Sequence, residues 1–209
     1  MTETMPKPLA LHSRAPDFSA RSTAGQITLS SYRGRWLVFF AHPANFTPVC
    51  TSEFIAFARA SPEFESLNCS LLGLSVDSLY SHIAWVRDIR DRFAVNVTFP
   101  IVEDPSMAIA TAYGMINDAS ESSATVRATF VIDSQGVIRA IISYPMNVGR
   151  SVDELLRLVA ALQASEREDA STPQGWRPGD PLLDPAPTMD APQELVRPGE
   201  SWYFRERRT

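Results

Sequence analysis

The chain has 209 residues, 44% hydrophobic and 21% charged, enough length and apolar content for a substantial core. Its 19 basic residues against 24 acidic ones leave a net charge of -5, which argues against a nucleic-acid-binding surface. No apolar run approaches the ~20 residues that span a bilayer, and the two cysteines, Cys50 and Cys69, make no disulfide framework, Cys-x-x-Cys pair or zinc cluster.

Residues 1–11 lack the apolar centre and charged flank of a signal peptide, so a cytoplasmic protein with no membrane partner is expected. Trp36-Leu37-Val38-Phe39-Phe40-Ala41 is a short apolar run that reads as a strand buried on both faces of an α/β sheet. The loop behind it belongs at the strand's carboxyl end, where α/β proteins bind ligands. Thr47-Pro48 then reads as a helix start, Thr as the cap and Pro at the first helical position, with Phe54, Phe57 and Ala58 continuing at helical spacing.

Leu71–Val76 reads as a second buried strand, and Leu79–Phe93 as a helix with Ile83, Val86 and Ile89 on one face. Val97–Val102 is a shorter strand that Pro100 pushes toward an edge, and Ser106–Tyr113 a brief helix closed by Gly114. Ala128–Ile132 and Val137–Ser143 flank Asp133-Ser134-Gln135-Gly136, a turn sequence that predicts an antiparallel hairpin. Val152–Leu162 follows as an amphipathic helix.

Beyond residue 170 the character changes: seven of the sixteen prolines fall in 171–209. Leu182, Leu183, Leu195, Trp202, Tyr203 and Phe204 there need apolar surface to cover, which a partner subunit would supply. The expected organisation is a domain over 1–170 and a C-terminal arm over 171–209, assembled as a homodimer or higher homo-oligomer. Strand–helix alternation ending in a hairpin and a helix fits an α/β protein and leaves several topologies open.

Cys50 falls in the first turn of the helix that begins at Thr47-Pro48. Free backbone N–H groups and the positive end of the helix dipole favour an anion there, which lowers a cysteine pKa and exposes the nucleophilic thiolate. The competing reading is an inert buried cysteine.

The run His42-Pro43-Ala44-Asn45-Phe46-Thr47-Pro48-Val49-Cys50-Thr51-Ser52-Glu53 resembles the active-site loop of the peroxiredoxins, whose pattern of Pro, three residues, Thr or Ser, two residues, Cys falls on Pro43, Thr47 and Cys50. Val126-Arg127-Ala128-Thr129-Phe130 resembles the strand that supplies that family's active-site arginine, with Arg127 at the matching position. The resemblance extends from Pro16-Asp17-Phe18 to Thr172-Pro173-Gln174-Gly175-Trp176-Arg177-Pro178-Gly179-Asp180. That last segment is similar to the 1-Cys, peroxiredoxin-6-like subgroup of the thiol-specific antioxidant family, which carries a C-terminal extension. It implies a thioredoxin-like fold, with a central mixed sheet flanked by helices, and a thiol-dependent peroxidase acting on hydrogen peroxide and alkyl hydroperoxides.

In that chemistry Cys50 attacks the peroxide and becomes a sulfenic acid. Arg127 stabilises the thiolate and the charge developing on the oxygens, and Thr47 orients the peroxide through its hydroxyl. Pro43 has no donor and shapes and shields the loop. His42 and Glu53 are secondary candidates, His42 for a hydrogen bond near the sulfur and Glu53 for holding Arg127 or capping the helix. No cofactor or metal is expected.

No cysteine follows Cys69, so the C-terminal resolving position of two-cysteine peroxiredoxins is empty. The reductant is then an external thiol such as glutathione or a thioredoxin-like protein, or else Cys69, which a buried strand suits better as packing. A thiol–disulfide oxidoreductase would need a second cysteine close to Cys50. The remaining alternatives are a peroxide sensor or a chaperone-like scaffold built on the same cysteine.

Overall fold

The structure, a computed structural model, describes residues 9–116, 124–185, 201 and 203–207. Its first elements are a hairpin of Ser19–Ser22 (β1) and Gly25–Thr28 (β2), which the hydrophobic pattern does not announce because most of its side chains are polar. The turn is held by Ser22 Oγ, which donates to the Gly25 carbonyl and accepts from the Ala24 N–H, while Gly25 takes φ +99°, a conformation glycine adopts without steric cost.

Trp36–Ala41 (β3) is the expected strand, all six residues buried. Pro48–Arg59 (α1) and a short helix Ser61–Ser66 (α2) follow, then Cys69–Ser75 (β4) and Leu79–Phe93 (α3). α3 is capped by Ser78, whose Oγ accepts from the Ser81 N–H, and ends at Ala94 in the left-handed region.

Two elements are shorter than expected. The strand over 97–102 is only Ile101–Glu103 (β5), because Pro100 has no N–H for a ladder and contributes just its carbonyl, to the Gly73 N–H. The helix over 106–113 is Ala108–Ala112 (α4), since Met107 stands left-handed at its N-terminus. Arg127–Ile132 (β6) and Ile138–Tyr144 (β7) form the hairpin across a turn with Gly136 at φ +75°.

The sheet order is β2-β1-β5-β4-β3-β6-β7. β3, β4 and β5 run parallel, and the pairs β1/β2, β1/β5, β3/β6 and β6/β7 are antiparallel. β3 is the central strand of the site, and successive side chains on it point to opposite faces. Phe40 therefore stacks on Phe57 of α1 at 4.2 Å and meets Phe54 at 5.5 Å, while Phe39 packs with Tyr113 at 5.0 Å and Phe18 at 5.5 Å on the other face. Each fully buried phenylalanine contributes roughly 1.5–3 kcal/mol, so α1 is fixed to β3 by its aromatic face.

The chain divides into two compact units between Val152 and Asp153. The helix Val152–Glu168 (α5) falls almost wholly in the second unit and runs past the expected end at Leu162. In the second unit Leu182–Leu183 (β8) pairs with Glu206–Arg207 (β9). Trp176 is buried and donates Nε1–H to the Asp180 carbonyl at 3.0 Å, and Arg157 reaches both Glu154 and the Trp176 carbonyl. Leu182 is buried, and Tyr203 and Phe204 are exposed. Leu195 and Trp202 lie outside the described residues.

Candidate active site

The site is built where β3 hands over to α1. His42 continues the strand, its N–H donating to the Leu74 carbonyl and its carbonyl accepting from Thr125 Oγ1. Pro43 follows, buried in the loop. Phe46 turns the chain in the left-handed region at φ +56°, with its ring mostly exposed. Thr47 has the extended backbone of a cap, and Pro48 occupies the start of the helix as its sequence suggests. The Thr47 side chain does not cap, however: Oγ1 donates to the Ala44 carbonyl at 2.8 Å, which closes the turn instead. Its oxygen lone pairs are left as acceptors.

Cys50 sits in the first turn of α1 with no exposed surface. Arg127, the first residue of β6, donates from Nη1 to Cys50 Sγ at 3.4 Å and to Glu53 Oε2 at 2.8 Å. Its other two nitrogens are held by one acceptor, the Met146 carbonyl, at 2.9 Å from Nε and 2.7 Å from Nη2. Every branch of the guanidinium is therefore fixed, and one of them is aimed at the sulfur.

Glu53 lies one turn after Cys50 and is bound a second time, by Arg150. Arg150 Nε donates to Oε1 at 2.9 Å, Nη2 to Oε2 at 2.7 Å, and the Arg150 backbone N–H to Oε1 at 2.8 Å. Arg150 Nη1 continues to the Ala128 carbonyl and Thr129 Oγ1, and its guanidinium lies 5.1 Å from the centre of the Phe40 ring. The three charged side chains are at most 3% exposed. Two arginines and one glutamate carry a formal charge of +1, which a thiolate at Cys50 would bring to zero. A buried cluster with that imbalance is suited to an anion at the sulfur.

His42 points elsewhere. Its Nε2 bonds Asn45 Oδ1 at 2.8 Å, its ring lies 5.1 Å from that of Trp85, and no hydrogen bond joins it to Cys50. Burial, with lesser contributions from His82, Arg150 and Arg127, pushes its pKa down to about 3, so the imidazole is neutral. Cys69 opens β4, and burial pushes its thiol up to about 12, as befits a packing residue.

Of the candidates read from sequence, Cys50, Arg127 and Glu53 are brought into one cluster. Thr47 and Pro43 shape the turn before it, and His42 joins a separate polar network. Arg150 and Asn45 were not foreseen: Arg150 stands in a loop with no motif spacing around it, and a buried asparagine in a turn has no signature distinct from an ordinary turn residue. The only local signal for Arg150 is a lone arginine after Gly149, just ahead of an amphipathic helix.

The AhpC/TSA family profile matches residues 11–141. Peroxiredoxin 2 of Thermoplasma acidophilum is 45% identical over 197 residues, 92% of this chain and 97% of that protein. The peroxiredoxin of Aquifex aeolicus is 50% identical over 165 residues, 78% and 74% of the two chains. A solved structure concerned with the thiol resolving mechanism of a yeast mitochondrial 1-Cys peroxiredoxin, via glutathione and thioredoxin systems, aligns with a TM-score of 0.79 at 43% identity, over 85% of this chain and 87% of that one. A cysteine-to-serine mutant of peroxiredoxin 6 of Arenicola marina aligns with a TM-score of 0.81 at 29% identity, over 89% and 86%. The mixed sheet with its flanking helices is thus the thioredoxin-like fold, and the extent and level of these similarities show that the chain belongs to the AhpC/TSA family, the peroxiredoxins, which are thiol peroxidases.

Proposed function

We propose that Cys50 is the peroxidatic nucleophile of a thiol-dependent peroxidase that reduces hydrogen peroxide and organic hydroperoxides. The observation that carries this reading is the Arg127 Nη1 contact with Cys50 Sγ at 3.4 Å, in the first turn of α1. The Cys50 thiolate attacks one peroxide oxygen. A sulfur–oxygen bond forms, the oxygen–oxygen bond breaks, and the departing oxygen takes a proton and leaves as water or an alcohol. Arg127 faces the charge that grows across the two oxygens. Thr47 offers its lone pairs to the peroxide O–H, and Pro43 keeps water from the sulfur.

The sulfenic acid is then reduced by an external thiol. One thiol displaces water to give a mixed disulfide, and a second releases Cys50 and leaves as the disulfide of the reductant. The buried, high-pKa thiol of Cys69 makes it a poor internal resolving group. The yeast relative studied with glutathione and thioredoxin systems supports reductants of that class. A C-terminal arm that joins two copies is supported by the exposed Tyr203 and Phe204.

Stopped-flow peroxide consumption with mass spectrometry of the product tests the reading on wild type, Cys50→Ser and Cys69→Ser. A fast step that disappears in Cys50→Ser, survives in Cys69→Ser and is recycled by added thiol is expected. A reaction unaffected by Cys50→Ser would overturn it.

A further inference from the structure

Between the strand end and α3 lies a buried polar network that the peroxidase reading does not use, and Asn45 is its centre. The Asn45 side chain is 7% exposed. Its Oδ1 accepts from His42 Nε2 at 2.8 Å, and its Nδ2 donates to Ser81 Oγ at 2.9 Å and to His82 Nδ1 at 3.0 Å. Its backbone N–H donates to Asp77 Oδ2 at 2.7 Å. One residue thus ties the turn after β3 to the start of α3 and to the loop before it.

The donor and acceptor pattern fixes protons as well as positions. An amide oxygen only accepts, so the His42 proton is on Nε2. His82 Nδ1 lies 3.0 Å from Asn45 Nδ2 and 3.2 Å from Oδ1, so the same amide meets it with both a donor and an acceptor. The residue that follows, Phe46, stands at φ +56°, a conformation that costs a bulky residue on the order of 1–3 kcal/mol unless its surroundings hold it. The next residue is Thr47, whose hydroxyl and carbonyl set the first turn of α1: Oγ1 binds the Ala44 carbonyl, and the Thr47 carbonyl accepts from the Thr51 N–H and Thr51 Oγ1.

We propose that Asn45 is a positioning residue for Cys50 oxidation: its amide fixes the proton-bearing nitrogen of the buried His42 and clasps the 42–47 turn to Ser81 and His82 of α3, which sets where Pro43 and Thr47 stand beside the sulfur. This rests on the reading of Cys50 as the nucleophile. A carboxylate at the same position would change the chemistry without changing the shape. It offers only acceptors to His82 Nδ1, so His82 is held with a proton on that nitrogen or takes a second one. Asp77 and Glu103 face His82 and favour its charge, whereas Arg127 and Arg150 oppose charge on His42. The new titration therefore falls on His82.

The experiment has two arms. Imidazole ¹⁵N NMR on the Cys50→Ser protein is expected to show His42 as the Nε2–H tautomer. An Nδ1–H signal at His42 would overturn the inference whatever the nucleophile is. Stopped-flow oxidation of otherwise wild-type protein compares Asn45→Ala and Asn45→Asp. Both are expected to lose at least about tenfold in the second-order rate constant, the scale of loss that small displacements at a reacting centre bring. Asn45→Asp alone is expected to add an inflection between about pH 5 and 8, the range of an imidazole. Wild-type rates in both variants, or identical pH profiles for the two, would overturn it. Loss of the Cys50-dependent step in the wild type would instead strike at the peroxidase reading and leave the tautomer result standing.

Discussion

Glu53 and Arg150 are joined by three hydrogen bonds, two from the guanidinium and one from the backbone N–H, all between 2.7 and 2.9 Å. The carboxylate is thereby fixed at both oxygens before Arg127 reaches it. Arg127 in turn is set between that carboxylate, the Met146 carbonyl and Cys50 Sγ. The arginine facing the sulfur is held by a residue that never touches the sulfur.

Removing that negative charge strands two buried cations. Glu53→Gln is expected to lose about 3–5 kcal/mol of stability, the usual cost of breaking a buried pair from one side. Urea denaturation measures it, and a loss below about 1 kcal/mol would contradict the buried arrangement.

Arg127→Lys keeps the charge and loses the fork. A lysine cannot hold the Met146 carbonyl through two nitrogens while pointing a third at Cys50 and Glu53. The rate constant for Cys50 oxidation is expected to fall about 10²-fold, comparable to removing one donor from a charge-stabilising site. A stopped-flow rate within about threefold of wild type would show that charge alone suffices.

Stability is expected to fall as the pH drops below the ordinary histidine range. His42 is pushed down from 6.5 to about 3 by burial, and His82 is lowered for the same reason. Below pH 6.5 the unfolded chain takes up protons that the folded chain refuses, so acid favours unfolding. Their contribution is fully present above 6.5 and is lost progressively toward 3 for His42, at about 1 kcal/mol per pH unit and histidine. Urea unfolding between about pH 7.5 and 5 reads the slope, and a flat profile would rule out buried neutral imidazoles.

Gly73 of β4 leaves room for the helix that carries Cys50. A Cβ there would lie 3.3 Å from Phe54 Cζ and 3.7 Å from Ile101, and Phe54 is packed among Phe40, Phe99 and Trp85 and cannot swing away. Gly73→Ala is expected to cost roughly 1–3 kcal/mol by overpacking. It should also slow Cys50 oxidation by displacing α1. A variant as stable and as fast as wild type would show that Phe54 yields.

The parts of the fold legible in the sequence are those whose burial is written in the pattern. Trp36–Ala41 is apolar at every position because β3 is buried on both faces, and the helical spacing over Leu79–Phe93 marks Ile89 of a buried face whose other members are His82 and Trp85. The β1/β2 hairpin was not legible, since its register is fixed by backbone ladders and a serine turn rather than by apolar alternation. In the site, helix-start signals place Thr47 and Cys50 in the first turn of α1, where the structure has them, whereas Pro43 and Arg127 are singled out only by the resemblance to the peroxiredoxin pattern. Arg150 acts 97 residues away from Glu53, and no local pattern encodes a partner at that distance. Thr47 shows the converse: its position as a cap was readable, but the choice of the Ala44 carbonyl over the helix N–H depends on the left-handed Phe46 between them.

The separation of these partners along the chain also orders events in time. Cys50 leaves the ribosome 77 residues before Arg127 and the rest of β6, and Glu53 waits 97 residues for Arg150. Contacts that close such long loops form late and slowly in folding. A nascent chain therefore carries its cysteine in a helix that still lacks its guanidinium neighbours. The cluster of Cys50, Glu53, Arg127 and Arg150 is therefore complete only when β6 has joined β3 and the loop of Arg150 has closed on α1, so that the geometry at the sulfur is a product of the whole fold and not of the local motif alone.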